Sequence, residues 1–279
     1  MYTFVGFLII TSIVSGSVPR ILGGKEAENG SVPRVVGGNE AEAKYPYQAS
    51  IRIRGSHVCG ASIISPYVIL TAARCIYKKV PSQMTVVVGT NYLSQPGIVH
   101  TVNKLIWHEF YNECLVRNDI GLILVNGYIK YNDKIQPIPL ARVYYVPQET
   151  NAVVTGWRKL NNGSDGMSNA LQALNVTIVS QEMCQLYDWM ATKNNICTSA
   201  KRNQACSGDP GSPLVFNGTQ VGIVSYGRSC DYLSVYTRVF PYEQWINNIT
   251  SNQHGIGSQV NSNMWSILLL AVSIIVFSL

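Results

Sequence analysis

The amino-acid sequence predicts an all-β protein, and three observations carry the prediction. From Val35 onward, about a dozen short runs of β-branched or alternating residues follow one another, each bounded by Gly, Pro, Asn, Asp or Ser. No long stretch sustains helical periodicity, which leaves a sandwich or barrels as the architectures. The chain of 279 residues is 47% hydrophobic and 13% charged, enough apolar surface for a core and too little charge for a disordered chain.

Taken in order, the chain opens on an apolar run, Phe4 to Val14, closed by the small residues Ser15 and Gly16. This pattern suits a secretory leader over 1–16, cleaved after Gly16, and so an oxidising extracellular route. Residues 17–34 read as a propeptide. Within it, Ser17-Val18-Pro19-Arg20-Ile21-Leu22-Gly23-Gly24 recurs as Ser31-Val32-Pro33-Arg34-Val35-Val36-Gly37-Gly38. The period does not continue, so this is a local duplication and not a solenoid.

The strand runs are Gln48–Arg54, Val68–Thr71, Met84–Val88, Ile98–Trp107, Gly121–Val125, Ala152–Trp157, Leu171–Val179, Leu214–Phe216, Gln220–Tyr226 and Ser234–Val239. A terminal helix is expected over Tyr242 to Ile249, where Trp245, Ile246 and Ile249 share spacing. The folded domain is expected over 35–250. Beyond it, 251–279 combines small residues, a polar spacer and a terminal apolar segment, the layout of a GPI-attachment signal. As a helix, Trp265 to Leu279 would span roughly 22 Å, short of the ~30 Å hydrocarbon core. A short membrane span and an uncleaved tail are the other readings of this segment.

The net charge of +6 is spread without blocks of one sign, so no nucleic-acid partner is expected. No CxxC or HExxH pattern occurs, so neither metal nor cofactor is expected. Five sequons, at Asn29, Asn162, Asn175, Asn217 and Asn248, fit a secreted glycoprotein, and cleavage after Arg34 would remove the first. Seven cysteines are an odd number, so at least one is left without an intramolecular partner.

Several motifs in order resemble the chymotrypsin/trypsin-like serine proteases, with wording most like insect chymotrypsin-like proteins. They are Arg34-Val35-Val36-Gly37-Gly38, Leu70-Thr71-Ala72-Ala73-Arg74-Cys75, Asn118-Asp119-Ile120-Gly121-Leu122 and Gly208-Asp209-Pro210-Gly211-Ser212-Pro213. Thr155-Gly156-Trp157, Val224-Ser225-Tyr226-Gly227 and Val235-Tyr236-Thr237-Arg238-Val239 agree with them. The resemblance implies two six-stranded antiparallel β-barrels, a cleft between them and a short C-terminal helix. It implies the disulfides Cys59–Cys75, Cys184–Cys197 and Cys206–Cys230. Cys114 then remains, either as a half-buried free thiol or in an intermolecular disulfide.

Set against the family's catalytic motifs, the chain departs at two of three positions. The family's general base falls at Arg74, which has only donors and a pKa above ~12. The serine nucleophile falls at Pro210, which has neither a hydroxyl nor the backbone N–H that helps hold an oxyanion. Asp119 and the oxyanion donor Gly208 remain. Arg74 is expected to form an ion pair with Asp119.

In the substrate region the resemblance places Gln204 where trypsin-like members have an acidic residue. It places Ser225, Tyr226 and Gly227 on the strand that holds substrate backbone, where a peptide could add as a further strand. No carboxylate lies between Val86 and Lys104, so the family's calcium loop lacks its ligands. Cleavage by a trypsin-like activator after Arg34 would free the Val35 amine to reach Asp209. His57, His100, His108 and His254 lie outside the base motif and are not expected to replace the base.

The function expected is a secreted or surface-anchored homologue without catalytic activity, binding proteases, protease inhibitors or peptides. The competing readings are an active serine-type endopeptidase with non-standard residues, and a structural or adhesive surface glycoprotein.

Overall fold

The strand runs become two closed barrels, each filled by the buried apolar side chains of its own strands. The computed structural model describes residues 39–40, 45–158, 167–199, 209–227 and 233–251. After the two-residue strand β1 (Asn39–Glu40) come β2 (Gln48–Ile53), β3 (Ser56–Ile63), β4 (Val68–Thr71), β5 (Met84–Val88), β6 (Ile98–Trp107) and β7 (Gly121–Val125). These last six close as β2–β3–β4–β7–β6–β5, with every pair antiparallel. Ile51, Ile63, Leu70, Met84, Val86 and Leu122 fill this barrel.

The second barrel uses β8 (Asn151–Arg158), β9 (Met167–Ile178), β10 (Asn195–Ser199), β11 (Pro213–Phe216), β12 (Thr219–Gly227) and β13 (Leu233–Arg238). They run β9–β10–β13–β12–β11–β8 and close through the β8–β9 pair. Val154, Leu174, Val176, Ile196, Leu214 and Tyr236 form its core. Strand β1 adds outside on β9, Asn39 opposite Ala173 and Glu40 opposite Gln172.

Helix α1 (Ala73–Ile76) follows β4, and α2 (Gln181–Tyr187) is capped by the Ser180 hydroxyl, which accepts from the Met183 N–H. The terminal helix α3, residues 243–251, returns to the first barrel, where Ile246 is buried in its core with Trp245 and Ile249 against it.

Close polar contacts join the barrels, beside apolar packing of Ile223 from β12 in the first barrel's core. The Ser62 hydroxyl donates to Gln220 Oε1 at 2.6 Å, and Thr155 Oγ1 to Gln48 Oε1 at 2.6 Å. The Gly60 N–H donates to the Pro210 carbonyl at 2.9 Å, tying β3 to the turn that precedes β11. Gly211, in that turn, has φ +87°, and a Cβ there would lie 2.4 Å from the Gly60 carbonyl. Both the conformation and the space demand glycine.

Candidate functional site

Asp119 sits at the end of the loop leading into β7, wholly buried. Three groups hold it. The Arg74 N–H donates to its Oδ1 at 2.8 Å, the Ser225 hydroxyl donates to Oδ2 at 2.6 Å, and the Thr237 hydroxyl donates to its backbone carbonyl at 2.9 Å. Burial pushes its carboxyl above the usual range, opposed by the Ser225 hydroxyl, the Arg74 and Ala73 N–H groups and the Arg74 charge.

The expected ion pair between Arg74 and Asp119 is not what forms. It is the backbone N–H of Arg74 that meets the carboxylate, while the guanidinium crosses the cleft and donates to the Ser225 carbonyl. The reason lies in the strand. The β12–β13 register shifts between Val224 and Tyr226, a bulge that turns the Ser225 carbonyl out of the ladder and leaves it needing a donor. Arg74 thus satisfies an acceptor that the strand ladder leaves unpaired. Tyr226 is half-buried and Gly227 exposed just beyond it.

The turn before β11 places Asp209 and Pro210 on the other side of the junction. Asp209 is buried and its Oδ2 accepts from the Trp157 N–H at 2.5 Å. The imidazole Nε2 of His57 lies 3.2 Å from the same oxygen, an ion-pair distance without hydrogen-bond alignment. His57 Nδ1 meets the Ser50 hydroxyl at 2.8 Å, and its ring packs edge-on to Trp157 at 5.1 Å. The line Ser50–His57–Asp209 is the part of the site that sequence reasoning missed. His57 is separated from Asp209 by most of the domain, and no spacing connects them. Pro210 is half-buried, its carbonyl held by Gly60.

Ser212 does not face the cleft. It is fully buried, and the Gln48 side-chain amide donates to its hydroxyl at 3.4 Å. Beside Arg74, a pocket of about 250 Å³ is lined by Tyr77, Lys79, Tyr111, Glu113 and Val116. Burial pushes the Tyr111 phenol up to about 12, with Asp119 adding to the rise and Arg74 opposing it.

The disulfides Cys59–Cys75 and Cys184–Cys197 form as expected. Cys114 is free and exposed, not half-buried, because the 108–118 loop carries it outward. Asn175, Asn217 and Asn248 are exposed on β9, on the β11–β12 turn and on α3. Arg34, Val35, Asn162, Gln204, Cys206, Gly208 and Cys230, with the segments expected as leader (1–16) and propeptide (17–34) and residues 252–279, lie outside the described residues.

The Trypsin family profile matches residues 35–246. Chymotrypsin-2 of Vespa crabro is 42% identical over 207 residues, 73% of this chain and 93% of that protein. Trypsin delta of Drosophila melanogaster is 36% identical over 211 residues, 73% of this chain and 83% of its own length. The crystal structure of the scabies mite inactivated protease paralogue S-D1 superposes with a TM-score of 0.73 at 27% identity, over 78% of this chain and 98% of that one. With two closed six-stranded barrels, Asp119 buried between Arg74 and Ser225, and a family match over most of its length, the chain belongs to the trypsin family of serine proteases.

Proposed function

We propose that this chain is a protease homologue that binds without cutting, a regulator or decoy for proteases, protease inhibitors or peptides. One observation carries the reading. The residue whose N–H meets Asp119, the family's base position, is Arg74, and its guanidinium is committed to the Ser225 carbonyl. An arginine cannot accept a proton, and Pro210 at the nucleophile position has no hydroxyl to give one.

The magnitudes favour inactivity. Losing the nucleophile or the base alone costs roughly 10⁶ in rate in a related mechanism. A missing oxyanion N–H costs ~10²–10³ more. Among the described residues, His57 is held against Asp209 and His108 lies among Phe110, Tyr242 and Trp245, so neither is placed to act as the base. The likeness to a mite protein described as an inactivated protease paralogue supports the same reading. The proposal includes secretion through the leader, a GPI anchor from the tail, a trypsin-like activator at Arg34 and an intermolecular disulfide through Cys114.

The relatives named as chymotrypsin and trypsins favour the competing reading, an active endopeptidase. A fluorophosphonate probe separates the two. The Arg34-cleaved chain is expected to take up no label, and the Arg74→His, Pro210→Ser double variant is expected to gain it. Stoichiometric labelling of the unaltered chain would overturn the proposal. Retention of the unlabelled chain on immobilised protein inhibitors or substrate peptides would separate the regulator from a purely structural glycoprotein.

A further inference from the structure

Strands β11 and β12 are joined by two residues, Asn217 and Gly218, with Phe216 opposite Thr219. Both turn residues have positive φ, 47° and 72°, the type I′ geometry that Asn-Gly favours. Asn217-Gly218-Thr219 is also a sequon, and the Asn217 side chain makes no hydrogen bond among the described residues.

Beside this turn the 139–146 segment crosses the barrel. The Gln220 N–H donates to the Pro139 carbonyl at 2.8 Å and the Ala141 N–H to the Gln220 carbonyl at 3.0 Å, so the segment runs parallel to β12 for one bridge. It then leaves the sheet, and a groove of about 480 Å³ opens between it and the hairpin. Leu140, Val143, Tyr145, Val146 and Phe216 line it, with Asn217 itself on the wall. Val143 is 65% and Tyr145 69% exposed, so apolar surface that water would disfavour stands open around a sequon asparagine.

The geometry points to an N-linked glycan on Asn217 whose first sugars fold back into this groove. The chemistry suits a pyranose. Its C–H face is apolar and packs on an aromatic ring, while its hydroxyls face outward to water and to Arg142 on the rim. The volume is that of a small-molecule site, and a covalent tether on the wall removes most of the entropy that a free sugar would lose on binding. Asn175 and Asn248, also exposed sequon asparagines, do not line the groove. The inference rests on the secretory route included in the proposed function and is independent of whether the chain cuts peptides.

The test uses the full chain secreted from insect cells. Glycopeptide mass spectrometry is expected to find Asn217 occupied. Thr219→Ala, which removes the sequon and keeps the asparagine that the turn needs, is expected to raise ANS fluorescence and lower Tm by about 2–4 °C. Thr219→Ser, which keeps the sequon, is expected to do neither. Endoglycosidase trimming to the first sugar is expected to preserve most of the Tm. Tyr145→Ser is expected to lower Tm in the glycosylated chain and to have little effect in the Thr219→Ala background. Equal Tm and dye binding for Thr219→Ala and Thr219→Ser overturn the inference, and so does an unoccupied Asn217 in a chain glycosylated at Asn175 or Asn248. Absence of glycan at every sequon overturns the inference and the secretory route together.

Discussion

His57 holds its imidazole in the interior at 3% side-chain exposure, between Ser50, Trp157 and the Asp209 carboxylate. Among the described residues, the Asp209 carboxylate has one other polar contact, the Trp157 backbone N–H. Removing the ring leaves a cavity and strips a buried carboxylate of its partner. His57→Ala is therefore expected to cost about 2–4 kcal/mol in urea unfolding of the uncleaved chain. On the proposed activation, the loss is expected to be smaller after cleavage behind Arg34, where the freed Val35 amine would offer Asp209 another partner. An equal loss in both forms would show that the Val35 amine does not take the place of His57 at Asp209. Asp119, by contrast, has hydroxyl and N–H partners and, among the described residues, no guanidinium at contact distance, and burial is the largest influence on its titration.

At the scale of elements, the junction between β3 and the turn before β11 is packed without slack. A Cβ on Gly60 would lie 1.8 Å from Ser212 Oγ and 2.9 Å from its Cβ. Gly60→Ala is expected to destabilise by about 3 kcal/mol through overpacking. Adding Ser212→Gly, which removes both atoms, is expected to recover more than half of that loss, as a double-mutant cycle in denaturant would read. The strands that the sequence revealed are those rich in Val, Ile and Leu, such as β4, β5 and β7. Strand β3, SHVCGASI, was hidden because the close inter-barrel approach selects Gly, Ala and Ser over β-branched residues. Helix α2 was hidden by brevity: seven residues are too few to establish a period, although Ser180 is a legible cap. The Arg74 and Pro210 departures were legible as residues in motifs. The path of the Arg74 side chain was not, because it depends on a bulge in a strand 151 positions away.

For the molecule as a whole, two half-buried histidines among the described residues contribute to the response to mild acid. Burial holds both His100 and His108 below the ordinary value of 6.5, with Glu109 opposing at His108 and a backbone contact to Asn126 opposing at His100. The folded chain thus binds fewer protons than the unfolded one in this range. Their contribution is complete above about pH 6.5 and is lost as pH falls toward the folded values. Asp119 acts in the other direction, since its raised carboxyl favours the fold on the acid side and loses that advantage as pH rises. Tm is expected to fall between about pH 7.5 and 5.5, and to fall less in the His100→Phe, His108→Phe variant. An unchanged slope in that variant would assign the acid response elsewhere.

Strand β1 has one further consequence. Its two residues are pinned to β9 opposite Ala173 and Gln172, and Gln172 pairs in turn with Gly156, next to the Trp157 whose N–H meets Asp209. A chain end freed at Val35 would be separated from that fixed point by Val35 to Gly38 alone, four residues that reach at most about 14 Å. The amine would act as a leashed ligand, at an effective concentration on the order of millimolar. Its competition with the His57 imidazole for Asp209 would therefore be set by leash length and hardly at all by protein concentration.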